Sequence, residues 1–290
     1  MPADSPGADQ PAVVSGGLDR LRRFTPARIR LGRAGSGLTT AEALRFSLDH
    51  ASARDAVLIP LAFGVLAERL SAAGWNVLHV RSAVTDRAEY LRRPDLGRRL
   101  LPASRALLQK QGGGIDVVIA AVDGLSSTAV ASHVSALLAA LRVRLEARQV
   151  SLGPLVLVEQ GRVAIGDEIG EILQAKLVIV LIGERPGLSA ADSIGAYITW
   201  RPRLGTMDSG RNCVSNIRPA GLPLADAADQ IDALVSLAFV HAMTRRGAER
   251  FAHIDCEAKP ANLRQSAHVL LFSPTRYSHS PCRQTCHEPR

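Results

Sequence analysis

The first part of the chain has apolar residues mostly at helical spacing. In segment 41–55 they recur along one helix face, and two threonines directly before it are candidate N-caps. Segment 61–74 predicts a second helix, because it follows a proline and ends in glycine. Residues 75–80 are a short strand candidate. The pattern therefore predicts a mainly helical N-terminal domain over residues 27–112.

From residue 113 to residue 240, short apolar runs alternate with helical segments. The runs are β-branched and nearly continuous, which is typical of strands buried on both faces. The strand candidates are residues 115–122, 154–158 and 176–182, and the helix candidates are residues 127–148, 166–175 and 225–243. Such alternation indicates a parallel sheet with crossover helices. We therefore predict an α/β fold, with a Rossmann-like parallel sheet following the helical N-terminal region.

The two ends of the chain differ in composition from the middle. Residues 1–26 are rich in Pro, Gly, Ala and Asp and lack the pattern of a secretory signal, so they are expected to form a disordered leader. Residues 241–290 hold five of the eight histidines and three of the four cysteines. A frame-shifted terminus or a lineage-specific extension would give such an atypical tail, with disorder as one expectation, and we prefer the frameshift.

Charge and cysteine content narrow the class of protein. The net charge is +8, but residues 241–290 contain eight basic and four acidic residues, so half of it lies in the tail. With only 4% aromatic residues and no basic stripe, nucleic-acid binding is not expected. The sequence contains no run of 18 apolar residues, so it predicts no membrane span. Cys213 is the single thiol before the tail, which fits the reducing cytoplasm. Taken alone, it is most simply a small buried apolar residue.

Polar residues follow each of the three strong strand candidates. These are Asp123 with Gly124, Glu159 with Gln160, and Glu184 with Arg185. Because ligands of open parallel sheets bind beyond the carboxyl ends of the strands, we expect these pairs to line one crevice. Acidic residues at strand ends also cap helices or lie in turns, which is the simpler interpretation of any single pair.

The loop after the second strand candidate contains Gly161, Gly166 and Gly170 and leads into a helix. Such a loop can expose backbone N–H groups to an anion. However, its spacing is not GxGxxG and no Walker lysine occurs, so a nucleotide-binding fingerprint is absent. A tight turn is the simpler interpretation.

No other residues form a convincing catalytic or metal-binding set. A hydrolase that uses Ser36 or Ser126 lacks a GxSxG elbow and is only weakly supported. Cys282, Cys286 and His287 have loosely metal-like spacing without a clear fourth ligand, so we predict no metal site. The sequence is also compatible with a non-enzymatic ligand-binding module that has a Rossmann-like fold.

Six strings of the sequence resemble one enzyme family. They are RIRLGRAGSGLTT, LRFSLDHASARDAV, YLRRPDLGRRL, VEQGRVAIGDEIGE, LIGERPGLS and RNCVSNIRPAGL, in order between Ala27 and Leu237. Together they resemble the small (light) subunit of ethanolamine ammonia-lyase. After about Phe239 the resemblance ends.

The resemblance implies an adenosylcobalamin-dependent lyase that converts ethanolamine to acetaldehyde and ammonia. It implies a partner, a TIM-barrel large subunit that carries the radical chemistry, within a hetero-oligomer of large and small subunits. The small subunit covers the cofactor between the chains and supplies no catalytic residue. We expect a cytoplasmic enzyme, either free or enclosed in a bacterial microcompartment.

The family's cobalamin contacts fall on three residues of this chain. They are Val163 in GRVAIGDE, Glu184 in LIGERPG and Cys213 in RNCVSNI. We expect Val163 to follow the second strand, Glu184 to end the third, and Cys213 to lie on a loop after the sheet. A DxHxxG motif is absent, so no ligand to cobalt is expected from this chain.

Overall fold

The structure is a computed structural model that describes residues 21, 24–25, 27–29, 33–34 and 37–244. The predictions for the leader, residues 1–26, and for the tail, residues 241–290, fall largely outside the described residues. Their disorder and their origin stay predictions.

The described residues form helices and strands close to those expected. The helices are α1 (Thr40–Leu58), α2 (Phe63–Ala72), α3 (Arg87–Arg92), α4 (Pro102–Gln109), α5 (Ser127–Ala147), α6 (Ile165–Ile172) and α7 (Leu224–His241). The strands are β1 (Arg33–Ala34), β2 (Gly37–Leu38), β3 (Val77–Arg81), β4 (Val117–Val122), β5 (Leu152–Glu159), β6 (Leu177–Gly183), β7 (Ile194–Trp200) and β8 (Arg211–Ile217). Thr39 caps α1, since its side chain accepts a hydrogen bond from the backbone N–H of Glu42.

Six strands form one sheet in the order β3-β5-β4-β6-β7-β8. The first four run parallel, whereas β7 and β8 continue the sheet in antiparallel orientation. The α/β fold is thus confirmed and the sheet is mostly parallel. The sequence analysis did not predict β7 or β8, and it was wrong to place Cys213 on a loop, because this residue lies within β8.

Helices cover both faces of the sheet and enclose two apolar clusters. Helices α2, α5 and α7 pack on one face, and α4 and α6 pack on the other. Every residue of β4 and β6 is buried, as expected for central strands between two helical layers. Strand β3 precedes the boundary proposed at residue 112, yet it pairs with β5, so the sheet includes strands from both proposed domains.

Helix α5 is the one described helix that is long and apolar enough to cross a membrane. Eight of its residues are buried, and it packs against the sheet and α7. Its apolar composition is that of a core helix.

Candidate functional site

A cavity of about 430 Å³ opens beyond the carboxyl ends of β4, β5 and β6. Its walls are Tyr90, Leu125, Arg162, Val163, Ile182, Gly183, Glu184, Arg185 and Tyr197. It lies where ligands bind in open parallel sheets. Of the three strand-end pairs expected to line it, only Glu184 and Arg185 do so.

The other two strand-end carboxylates have structural partners instead. Asp123 is buried, and its Oδ1 accepts hydrogen bonds from the backbone N–H groups of Gly124 and Gly161. Glu159 lies 3.1 Å from the guanidinium of Arg81. The expectation that all three pairs line one crevice was therefore wrong.

Glu184 lies directly after β6 and is half-buried. Its Oε2 accepts a hydrogen bond of 3.1 Å from the backbone N–H of Asn216. A Cβ atom on Gly195 would lie 3.0 Å from Oε1, so glycine at that position leaves room beside the carboxylate. Glu184 can thus present an acceptor oxygen to a ligand in the cavity.

Val163 lies in the turn between β5 and α6. Its carbonyl accepts a hydrogen bond from the N–H of Gly166, while its side chain packs against the cluster beneath α6. The residue can therefore offer a ligand an apolar contact, whereas its carbonyl is already used within the turn.

Cys213 is the register partner of Tyr197, which lines the cavity from β7. Directly paired residues project from the same face of a sheet, so the two side chains are neighbours. Cys213 is exposed, and the simple interpretation as a buried apolar residue was wrong. Although the residue as a whole is exposed, its sulfur is partly desolvated, and this raises the pKa of the Cys213 thiol to about 11. A hydrogen bond with Tyr197 opposes the shift, and the nearby Glu184 adds to it. The thiol is thus mainly protonated at neutral pH.

Tyr90 of α3 is one of the residues that line the cavity. Its ring is fully buried, and its hydroxyl donates a hydrogen bond of 2.9 Å to the carbonyl of Gly161. The guanidinium carbon atoms of Arg162 and Arg87 lie 4.1 and 4.6 Å from the ring centre. Both distances are within the range of cation–π contacts. The Tyr90 ring therefore holds Arg162 at the cavity.

Arg87, which packs on the Tyr90 ring, also contacts the buried carboxylate of Asp123. The Arg87 guanidinium lies 3.7 Å from Oδ2 of Asp123, and its Nε donates to the carbonyl of Val57. Burial raises the pKa of Asp123 to about 6, against the opposing effects of Arg87 and of the backbone N–H donors. The carboxyl group is thus costly to ionise in the folded protein.

Replacing Asp123 with asparagine is expected to change how stability depends on pH. Between about pH 4 and pH 6 the folded protein keeps a proton that the unfolded chain releases, so the contribution of Asp123 to stability falls as the pH rises. Asp123→Asn does not titrate. Its stability relative to the wild type is expected to rise by up to about 3 kcal/mol from pH 4 to pH 7. Denaturant unfolding at a series of pH values measures this, and a constant difference would contradict it.

The strand ends around the cavity approach each other very closely. The backbone N–H of Leu125 donates a hydrogen bond of 2.9 Å to the carbonyl of Gly183. A Cβ atom on Gly183 would lie 2.6 Å from the carbonyl oxygen of Asp123. The turn after β4 therefore rests directly on the last residue of β6, with no space for a side chain.

The remaining candidate residues from the sequence do not line the cavity or are not described by the structure. Ser126 caps α5, since its Oγ accepts from the N–H of Ala129 and donates to the carbonyl of Ala191. Ser36, Cys282, Cys286 and His287 lie outside the described residues. Within the described part of the chain, no three His, Cys, Asp or Glu side chains cluster as metal ligands do.

Sequence reasoning did not identify Tyr90, Arg162 or Tyr197 as part of the site. Tyr90 comes from α3, far from β5 along the chain, and meets Arg162 only in the folded protein. Tyr197 lies on a strand that was not expected. The one available signal was the aromatic residue of YLRRPDLGRRL, in a segment that is charged and poorly periodic.

Comparisons with known proteins give one consistent result. The family model "Ethanolamine ammonia-lyase light chain (EutC)" matches residues 15–245. A relative named ethanolamine ammonia-lyase small subunit, from Azotobacter vinelandii, is 50% identical over 228 residues, covering 77% of this chain and 84% of that protein. Proteins of the same name from Ralstonia nicotianae and Xanthomonas campestris are 48% and 49% identical. These alignments cover 77% and 76% of this chain and 84% and 82% of the relatives.

Proposed function

The chain belongs to the ethanolamine ammonia-lyase light chain family, and from this membership we propose that its cavity covers adenosylcobalamin in a complex with a large subunit. The complex would deaminate ethanolamine to acetaldehyde in the cytoplasm. One observation carries the proposal: Val163 and Glu184 line one cavity, and Cys213 is paired with Tyr197 in the wall of the same cavity. These are the three residues at which the resemblance locates cobalamin contacts.

The chemistry of the cavity suits the edge of a corrinoid. Cobalamin carries amide side chains that both donate and accept hydrogen bonds. The Glu184 carboxylate can accept from them, and the guanidinium groups of Arg162 and Arg185 can donate to them. The Nε of Arg162 is buried without a hydrogen-bond partner in the described part of the chain, and an amide oxygen would satisfy it. The donor set therefore fits the cofactor.

The size of the cavity favours a shared site. Cavities of about 300–1,000 Å³ hold drug-sized ligands. At about 430 Å³ this cavity is within that range, whereas a corrinoid is much larger than such ligands. The chain would thus cover one edge of the cofactor, and a second polypeptide would enclose the rest. This supports a large-subunit partner.

The residues of this chain would bind and orient the cofactor and would exclude water from it. Bound adenosylcobalamin supplies the radical chemistry of the deamination, as cofactors supply the difficult step in many enzymes. Glu184 would accept hydrogen bonds at the cofactor edge, and Val163 and Leu125 would keep water from it. The Cys213 thiol is protonated and Asp123 is buried beneath the wall, so neither is arranged as a catalytic base.

Reconstitution tests the proposal directly. The chain is combined with the large subunit encoded in the same genome, and acetaldehyde is measured with ethanolamine and adenosylcobalamin. We expect product only when both subunits and the cofactor are present. A stable complex that binds no cobalamin would overturn the proposal. Tight binding of another ligand by the isolated chain would favour a binding module instead.

Glu184→Ala is expected to weaken cofactor retention in the complex. Hydrogen bonds to a charged group contribute about 1.5–3 kcal/mol, so the Kd for cobalamin should rise about tenfold to a hundredfold. Asp116→Ala is the matched control, because Asp116 also accepts a backbone N–H, that of Ser151, but lies directly before β4, at the end of the strand opposite the cavity. Equilibrium dialysis of both complexes measures the effect. An unchanged Kd for Glu184→Ala would remove this residue from the site.

A further inference from the structure

Helix α6 is held to its surroundings by three carboxylates. Asp167 binds Arg211, Glu168 accepts from the N–H of Leu100 and also binds Arg105, and Glu171 accepts from the N–H of Leu204. The helix begins two residues after Val163. Any movement of α6 would therefore move the turn that presents Val163 to the cavity.

Glycines fix the other side of α6. A Cβ atom on Gly166 would collide with Val180 of β6, and one on Gly170 would collide with Pro202. The helix backbone thus lies directly against its neighbours on this side. Since it cannot move closer to the sheet, its position depends on the side chains that hold it from the other directions.

The contact between Asp167 and Arg211 is the most buried of these attachments. The Nη1 and Nη2 atoms of Arg211 lie 2.5 and 2.7 Å from Oδ1 and Oδ2 of Asp167, which is bidentate geometry. Nη1 also lies 3.1 Å from Oγ1 of Thr199, and Nη2 donates to the carbonyl of Thr206. The Nε atom also lies 3.4 Å from Oδ1 of Asp208, so the guanidinium of Arg211 has five acceptor atoms and one orientation.

The placement of this pair joins two parts of the candidate site. Arg211 begins β8, two residues before Cys213, and Asp167 lies in the first turn of α6, four residues after Val163. Helix α6 packs on the face of β6, and β7 separates β6 from β8 in the sheet, so the pair reaches from this helix across to the edge strand. It is thus a direct connection between the turn of Val163 and the strand of Cys213.

Stability alone does not account for such a pair. Its side chains are 3% and 2% exposed, and no other ion pair in the described part of the chain has both side chains buried. Removing two charges from water costs about as much as their attraction returns, so buried ion pairs contribute little net stability. Burial raises the pKa of Asp167 in spite of the neighbouring arginine. A role in fixing geometry is the better explanation.

We infer that Arg211 and Asp167 are positioning residues, which hold the Val163 turn and the Cys213 strand at the separation that fits the corrinoid edge. This inference rests on the proposed function. The pair touches no cavity surface itself and acts through the two elements that it joins. Loosening the pair should weaken cofactor binding while leaving the reaction of the loaded enzyme nearly unchanged.

Arg211→Lys in the full complex with the large subunit tests the inference. Lysine keeps the charge but cannot form the bidentate contact or reach all five acceptors. We expect the Kd for cyanocobalamin, measured by equilibrium dialysis, to rise at least about tenfold, as for other groups that orient a binding residue. The KM for adenosylcobalamin should rise by a similar factor, while kcat at saturating cofactor stays within about twofold.

Arg148→Lys is the matched control. Arg148 makes a bidentate contact with Asp232, at 2.5 and 2.7 Å, between α5 and α7 on the opposite face of the sheet. This variant should lower the melting temperature without changing the Kd or KM for cobalamins. If both variants weaken cobalamin binding equally, general destabilisation explains the result and the inference is overturned.

Thr199→Val provides a second, milder test in case Arg211→Lys does not assemble. It removes one of the five acceptors and leaves the ion pair in place. We expect about a threefold rise in the Kd for cyanocobalamin. Wild-type affinity in the assembled variants would overturn the inference alone. Failure of the wild-type complex to bind cyanocobalamin would instead overturn the proposed function.

Discussion

A chain carrying Gly183→Ala is expected to be less stable than the wild type by about 3 kcal/mol or more. The added Cβ would lie 2.6 Å from the carbonyl oxygen of Asp123 and 2.7 Å from the carbonyl carbon of Ser126. Both are backbone atoms, so the turn after β4 would have to separate from β6. Overpacking commonly costs about 1–3 kcal/mol even where side chains can adjust, and here the backbone must move. Denaturant unfolding of the isolated chain measures the loss.

Gly64→Ala is the control for this experiment. Gly64 lies within α2, and no heavy atom would come within 4 Å of its added Cβ. Alanine is favoured over glycine in helices by about 0.5–1 kcal/mol, so this variant should be slightly more stable than the wild type. If Gly183→Ala were as close to wild-type stability as Gly64→Ala, the strand ends would be less tightly packed than described.

Tyr90→Ala is expected to cost about 3–5 kcal/mol and to disrupt the cavity. Truncating a large aromatic residue in a core has this effect because it removes buried surface and leaves a void. Tyr90 is fully buried, and its ring supports both Arg162 and Arg87. Without the ring, Arg162 loses its support at the cavity wall, so cobalamin binding by the complex should weaken as well. Thermal unfolding and equilibrium dialysis measure the two effects.

Tyr90→Phe separates the ring from the hydroxyl group. It keeps the ring between the arginines and removes only the hydrogen bond to the carbonyl of Gly161. The expected loss is about 1 kcal/mol, with cobalamin binding largely retained. If Tyr90→Phe were as damaging as Tyr90→Ala, the hydroxyl rather than the ring would be the main support of the wall.

The strands that could be predicted from the sequence are those whose environment leaves a local signal. Strands β4, β5 and β6 lie between two helical layers, so each is a nearly continuous apolar run. Strand β8 is an edge strand in which Cys213, Ser215 and Asn216 are exposed, and its mostly polar composition resembles that of a loop. Strand β7 follows β6 without an intervening helix, which broke the expected alternation.

The candidate site shows the same limit. Glu184 could be identified from its place at the end of a strand, because the ends of parallel strands meet at one edge. Asp123 has the same place in the sequence, yet it is buried beneath the wall, and this depends on α3 delivering Arg87 to it. Spacing along a strand fixes which edge a residue occupies. It does not fix whether a distant helix covers that edge.

The strand order implies a sequence of events during folding. Strand β5 lies between β3 and β4, although it follows both along the chain, and β4 also pairs with the later strand β6. Such nonlocal pairing slows folding, because a long loop must close before any pairing compensates for its entropy. Arg162 and Val163 follow β5, and the hydroxyl of Tyr90 can donate its hydrogen bond only after Gly161 has been synthesised and positioned. On a ribosome, β3 and α3 therefore emerge well before their partners, and the cavity is completed only after the late strands have joined the sheet.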